Sequence, residues 1–127
     1  MAFESTRSKV DSITLLSLKG TIVAGRDSEI LSELVAEFLE AGETRIILDL
    51  AQVNFIDSTG IGALIRVHSS AMRKTASVKL LHLTKRVYDV LQITRLSSVF
   101  EIYDDLEKAK ASFGGTAEES GASASGA

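Results

Sequence analysis

The chain has 127 residues, of which 45% are hydrophobic and 24% charged, with a formal net charge of −3. That is enough apolar material for one core in one domain, and the charge balance excludes the basic stripe of a nucleic-acid binder. The absence of cysteine excludes disulfides, thiolate metal sites and cysteine nucleophiles, and His68 and His82 stand in no metal-binding pattern, so no metal or cofactor is expected.

The N-terminal run MAFESTRSKVDS has no apolar h-region and is not read as a signal peptide; no strand or helix is assigned to it. No apolar stretch reaches the roughly 18–20 residues needed to cross a bilayer. A cytoplasmic protein with no membrane contact is expected.

Ile13, Leu15, Leu16 and Leu18 form a β-compatible run that Lys19-Gly20 interrupts and Thr21-Ile22-Val23 resumes. The pattern fits two short strands with a glycine turn, or one strand with a bulge. Asp27 or Ser28 can cap a following helix. In that helix Ile30, Leu31, Leu34, Val35, Phe38 and Leu39 share a face opposite Glu33, Glu37 and Glu40, and Gly42 suits its C-terminus.

Arg45 to Leu50 is nearly continuous in apolar character and reads as a strand covered on both faces, continued by Val53, Phe55 and Ile56. Gly60 to Lys74 is predicted to be a helix with Ile61, Leu64, Ile65, His68 and Met72 on one face. Val78, Leu80, Leu81 and Leu83 make another strand. Thr84 caps a helix bearing Val87, Val90 and Leu91. Phe100 to Tyr103 is a last strand, and Asp104-Asp105 opens a final helix through Phe113.

Residues 114–127, GGTAEESGASASGA, are small, polar and low in complexity and are read as a disordered tail. The domain then occupies residues 1–113. The alternation of strands and helices predicts an α/β fold with a mixed, mostly parallel sheet of four to five strands and about four helices. In such sheets the loops after the strand C-termini carry the site.

One of those loops is Ile56-Asp57-Ser58-Thr59-Gly60-Ile61-Gly62, where an apolar run gives way to an acid, two hydroxyls and two glycines at a strand-to-helix corner. Three readings compete for Ser58: a helix N-cap, an acceptor of phosphate beside a helix N-terminus, and a catalytic nucleophile. The nucleophile elbow G-x-S-x-G fails because Ile56 replaces its first glycine. A phosphate loop fails because no Lys-Ser/Thr follows Gly62. His68 belongs to an apolar helix face, which suits a core or boundary histidine better than a base. A two-component receiver domain has a similar size, but no acidic pair follows Ile13–Leu18 here.

The run NFIDSTGIGAL resembles the signature of STAS domains, in particular the bacterial anti-sigma factor antagonists. RIILDLAQVNF resembles that family's central strand, and LLHLTKRVYDVLQITRLSSVFEIY its next strand, helix and last strand, so the likeness spans Val10 to Phe113. The resemblance implies a single STAS domain that is a switch and not an enzyme. It would sequester an anti-sigma factor that is also a serine protein kinase, and so free a sigma factor. The kinase would phosphorylate Ser58 and a phosphatase would reset it. Asp57, Thr59, Gly60, Ile61 and Gly62 would then form the partner-binding surface. In one place the chain departs from the pattern: Val23 stands where the family often has an acid in the first loop, with Asp27 four residues later. That departure keeps a second reading open, a kinase-independent STAS scaffold or interaction module of another regulatory pathway.

Overall fold

Residues 3–113 are described by a computed structural model. They form five strands, β1 (Glu4–Val10), β2 (Ile13–Ile22), β3 (Arg45–Ile56), β4 (Ser77–Leu81) and β5 (Ile102–Tyr103). Four α-helices accompany them: α1 (Arg26–Glu40), α2 (Ser58–Arg73), α3 (Lys85–Ile93) and α4 (Leu106–Ala111). The sheet runs in sequence order, with β1 antiparallel to β2 and the other neighbours parallel.

Because each crossover moves one strand further in the same direction, right-handed connections carry α1, α2 and α3 to one face of the sheet. The larger core lies there. Leu16, Leu18 and Ile22 of β2, Ile46, Leu48 and Leu50 of β3 and Val78 and Leu80 of β4 meet Leu31 and Val35 of α1, Leu64 and Val67 of α2, and Val87 and Leu91 of α3. The strand period of two sends Ile13, Ile47 and Leu81 to the opposite face, where α4 covers them with Ala109. β3 is therefore covered on both faces, which explains its near-continuous apolar sequence.

The interrupted run before α1 is one strand. Its pairing with β3 shifts between Ser17 and Lys19 and again between Gly20 and Thr21, which is where the sequence breaks its alternation. Strand β1 lies in the N-terminal run, to which the sequence assigns no element. Six of its residues are exposed, so it has no buried periodicity to betray it. It is held by its ladder with β2 and by a two-residue turn, Asp11-Ser12, with φ of 52° and 63°. Lys9 and the buried Thr14 of this hairpin both donate to Glu43 in the loop before β3.

Helix ends differ in detail from the expected ones. The N-cap position of α1 is Gly25, while the Ser28 hydroxyl donates to the Val23 carbonyl at 2.6 Å. Gly42, at φ 88°, follows the end of α1 as expected. Thr84 caps α3. The last strand shortens to Ile102–Tyr103, and α4 starts at Leu106 under an Asp105 cap. On the α4 side of the sheet, buried Lys79 donates to Glu101 at 2.7 Å and to the Ser112 carbonyl at 3.3 Å, and lies 4.6 Å from the centre of the Phe113 ring. That ammonium ties the end of α4 to β4. The expected tail, 114–127, lies outside the described residues.

The hairpin turn gives a stability test. Left-handed backbone costs an L-residue roughly 1–2 kcal/mol, part of which glycine returns through its freer unfolded state. Ser12→Gly is expected to raise stability by about 0.5–1 kcal/mol. A urea titration checks it: the midpoint should rise with an unchanged slope.

Candidate functional site

The corner is set by a mismatch in strand length. β3 pairs with β4 only from Arg45 to Asp49, but with β2 as far as Ile56. The last seven residues of β3, Leu50 to Ile56, thus run beyond β4 as a ribbon with β2. α3 covers the ribbon through the Thr84 hydroxyl, which donates to the Val53 carbonyl at 3.1 Å. The start of α2 is delivered at the ribbon's tip, beside the loop that follows β2.

Asp57 organises that tip. Its Oδ1 accepts the Gly60 N–H at 2.8 Å, making Asp57 the N-cap of α2. Its Oδ2 accepts the Ala24 N–H at 3.0 Å, from the loop between β2 and α1. Its own N–H donates to the Ile22 carbonyl at 3.2 Å. One side chain therefore caps a helix and ties it to the neighbouring loop. The Gly60 N–H above all holds the Asp57 carboxyl below the usual aspartate range; burial opposes it, and the Ala24 N–H adds to the lowering.

With Asp57 as the cap, Ser58 becomes the first residue of α2, and the N-cap reading of Ser58 does not hold. Ser58 and Thr59 are both exposed. The first N–H groups of a helix have no partner within it. Here Gly60 donates to the Asp57 side chain and Ile61 to the Asp57 carbonyl at 2.9 Å. The open end of the helix thus lies at Ser58, where an anion is favoured, while the Thr59 N–H also helps to lower the Asp57 pKa.

The other expected interface residues divide. Gly60 is buried, and a Cβ on it would stand 2.1 Å from the Ile22 carbonyl oxygen and 2.7 Å from Ile56 Cγ1. Its missing side chain serves the chain's own packing of α2 on β2, not the approach of another backbone. Ile61 is 6% exposed and belongs to the core, so its side chain is no surface anchor. Gly62 is half-buried, and only Arg66 Nη1, at 3.5 Å, would meet a Cβ there.

His68 is half-buried with its ring edge-on to Phe100, at 5.3 Å between centroids, as a boundary histidine should be. His82 leaves β4 with φ 57° and its Nδ1 lies 3.3 Å from Asp49 Oδ1. Among the described residues no group of three or more acidic or histidine side chains could hold a metal ion, and no helix is long and apolar enough to cross a membrane.

Two features of the corner escape sequence reading. The Ala24 N–H is a backbone donor and carries no side-chain signal. Phe55 reads as core, yet it is 42% exposed because β4 ends before reaching it.

Two substitutions test the clamp. Asp57→Ala is expected to cost about 1–2 kcal/mol, the range for losing a cap. Since the folded-state pKa is depressed, the clamp's stabilisation is complete above the unfolded pKa and is lost as pH falls from there through the folded one. Wild type should therefore lose stability more steeply than Asp57→Asn in a series of urea titrations from pH 5 to 2.5. Gly60→Ala pushes a methyl into backbone and should cost roughly 2–3 kcal/mol, at the upper end of overpacking effects, read as a lowered urea midpoint.

Comparison with known proteins gives a consistent picture. The family model described as STAS domain matches residues 6–109. A putative anti-sigma factor antagonist, BtrV of Bordetella bronchiseptica, is 27% identical over 108 residues, covering 85% of this chain and 92% of its own. An anti-sigma-B factor antagonist of Listeria monocytogenes is 30% identical over 84 residues, covering 63% of this chain and 74% of its own. The crystal structure of a putative anti-sigma factor antagonist from Thermotoga maritima superposes with a TM-score of 0.79 at 25% identity, over 85% of this chain and 92% of that one. Bacillus SpoIIAA in its phosphorylated form shares the fold, with a TM-score of 0.61 at 20% identity over 88% of this chain and 99% of that one. With the family model matching residues 6–109, nearly all of the described fold, the chain belongs to the STAS domain family.

Proposed function

We propose that this chain is an anti-sigma factor antagonist, a protein-binding module whose docking corner is switched by phosphorylation of Ser58. The observation that carries the reading is the division of labour at the corner. Asp57 takes over the capping, which leaves Ser58 exposed at the open end of α2. The relatives named anti-sigma factor antagonists support the binding role. SpoIIAA, solved in unphosphorylated and phosphorylated forms, supports a switch by phosphate on this fold.

The unmodified protein would bind an anti-sigma factor in the cytoplasm. That partner, or a kinase acting with it, would transfer phosphate to the Ser58 hydroxyl, and a phosphatase would remove it. The added charge of about −1.5 to −2 would sit on the docking surface itself. An enzymatic role for Ser58 has less support, since His68 packs on Phe100 and His82 is engaged with Asp49.

A second reading, a kinase-independent STAS scaffold, is favoured by one observation. The loop that often brings an acid to this corner brings Val23 and the Ala24 N–H instead.

Two measurements separate them. Incubated with its cognate anti-sigma kinase and ATP, the protein should carry phosphate on Ser58 in peptide mapping by mass spectrometry. Phosphate confined to other residues overturns the switch. Ser58→Asp should weaken binding to the anti-sigma factor at least tenfold while Ser58→Ala binds as wild type. Equal binding by both variants would instead establish the scaffold reading.

A further inference from the structure

The exposed side of α2 combines apolar and basic residues with no acid. From Ser58 to Arg73 the helix contains no acidic residue, in a chain whose net charge is −3. Ser58, Gly62, Ile65, Ser69 and Met72 recur at the spacing of one helix face. On it Ile65 and Met72 are 37% and 63% exposed. Next to Ile65 stands Arg66, which is exposed and forms no ion pair among the described residues.

Beside this face a cleft of about 230 Å³ opens between α1 and α2, walled by Val35, Ala36 and Val67, with Ser32, Ser70 and Arg66 completing it. The cleft is smaller than the roughly 300–1,000 Å³ of small-molecule sites. It suits one apolar side chain, the kind of anchor that dominates protein interfaces. A guanidinium at its rim fits a carboxylate through two parallel hydrogen bonds.

We propose that this face extends the Ser58 corner along α2 and receives an acidic, amphipathic segment of the anti-sigma factor. One apolar side chain of that segment would fill the α1–α2 cleft, and a carboxylate would pair with Arg66. The inference rests on the reading of the chain as an anti-sigma factor antagonist. It goes further by naming a second contact region and the chemistry of what docks there.

Two arguments choose this occupant. The face is continuous with the corner, since Ser58 and Met72 are fourteen residues apart on one helix, about 21 Å at 1.5 Å per residue. The charges also fix its polarity. The outer face of α1 carries Glu29, Glu33, Glu37 and Glu40, all exposed, whereas α2 carries Arg66 and Arg73. A segment lying in the groove would thus turn its carboxylates towards α2.

The test titrates the purified cognate anti-sigma factor into the full chain by calorimetry. Arg66→Glu and the double variant Ile65→Ser, Met72→Ser are each expected to weaken binding at least tenfold. Arg66→Lys should recover part of the loss, and the Arg66→Glu complex should be less sensitive to salt. A photo-crosslinking residue at Ala36 should capture an Asp- or Glu-rich segment of the anti-sigma factor. If Ser58→Asp abolishes binding while the face variants bind within twofold of wild type, the inference is overturned and the functional reading stands. Absence of any complex with wild-type protein overturns both. Crosslinks joining two copies of this chain would assign the face to self-association and also overturn the inference.

Discussion

Everything at the functional corner depends on how α2 is fastened to the end of β2. The Ile22 carbonyl accepts the Asp57 N–H and lies so close to Gly60 that no side chain fits between them. The Asp57 carboxylate closes the same junction from the other side, through Gly60 and Ala24. The backbone of α2 therefore approaches β2 as closely as sterics allow, and the loop after β2 is pinned to the helix start. Burial of Ile61, Leu64 and Val67 then follows, because the helix has one rotation about its axis that keeps Gly60 against Ile22.

That rotation also decides what remains outside. With Gly60 and Ile61 turned inward, Ser58, Thr59, Ile65 and Met72 are turned outward. The exposed serine and the exposed apolar stripe are thus consequences of one packing decision. An aspartate at this position does what a serine cap could not. It has two acceptor oxygens, so it can hold the helix and the neighbouring loop together and leave the hydroxyl of the next residue free.

Much of this was legible in the sequence, for identifiable reasons. β3 and β4 declare themselves because β-branched and leucine-rich runs are covered on both faces. α1 declares itself through a wide apolar stripe and a glycine at its end. β1 was not legible, because a strand with six exposed residues has no hydrophobic period, and its turn, Asp11-Ser12, lacks the usual glycine. At the corner, the D-S-T-G residues marked the place, but Ser58 and Asp57 are equally good caps by residue type. In the structure Asp57 takes the Gly60 N–H and also the Ala24 N–H, a backbone group that residue identity cannot signal. The burial of Ile61 was open for a similar reason: it lies in a stripe too wide for periodicity to divide into core and surface.

The first loop bears on how a phosphate on Ser58 would act. Val23 adds no charge there, so the neighbouring negative charge is the Asp57 carboxylate, which its two backbone donors hold in place. Repulsion between a carboxylate and a phosphate of about −1.5 to −2 charges, about 4 Å apart, lies between about 1.5–2 kcal/mol in water and about 6–8 kcal/mol at a protein surface. The open end of α2 offers about 0.3–2 kcal/mol in return. Repulsion is the larger of the two, so a phosphate would not be clamped to the corner and would turn away from Asp57 towards solvent. Its charge would stay at the surface and fall on whatever docks there. Because Ser58 is exposed and the clamp is made by Asp57, Gly60 and Ala24, such a switch would not need the corner to refold.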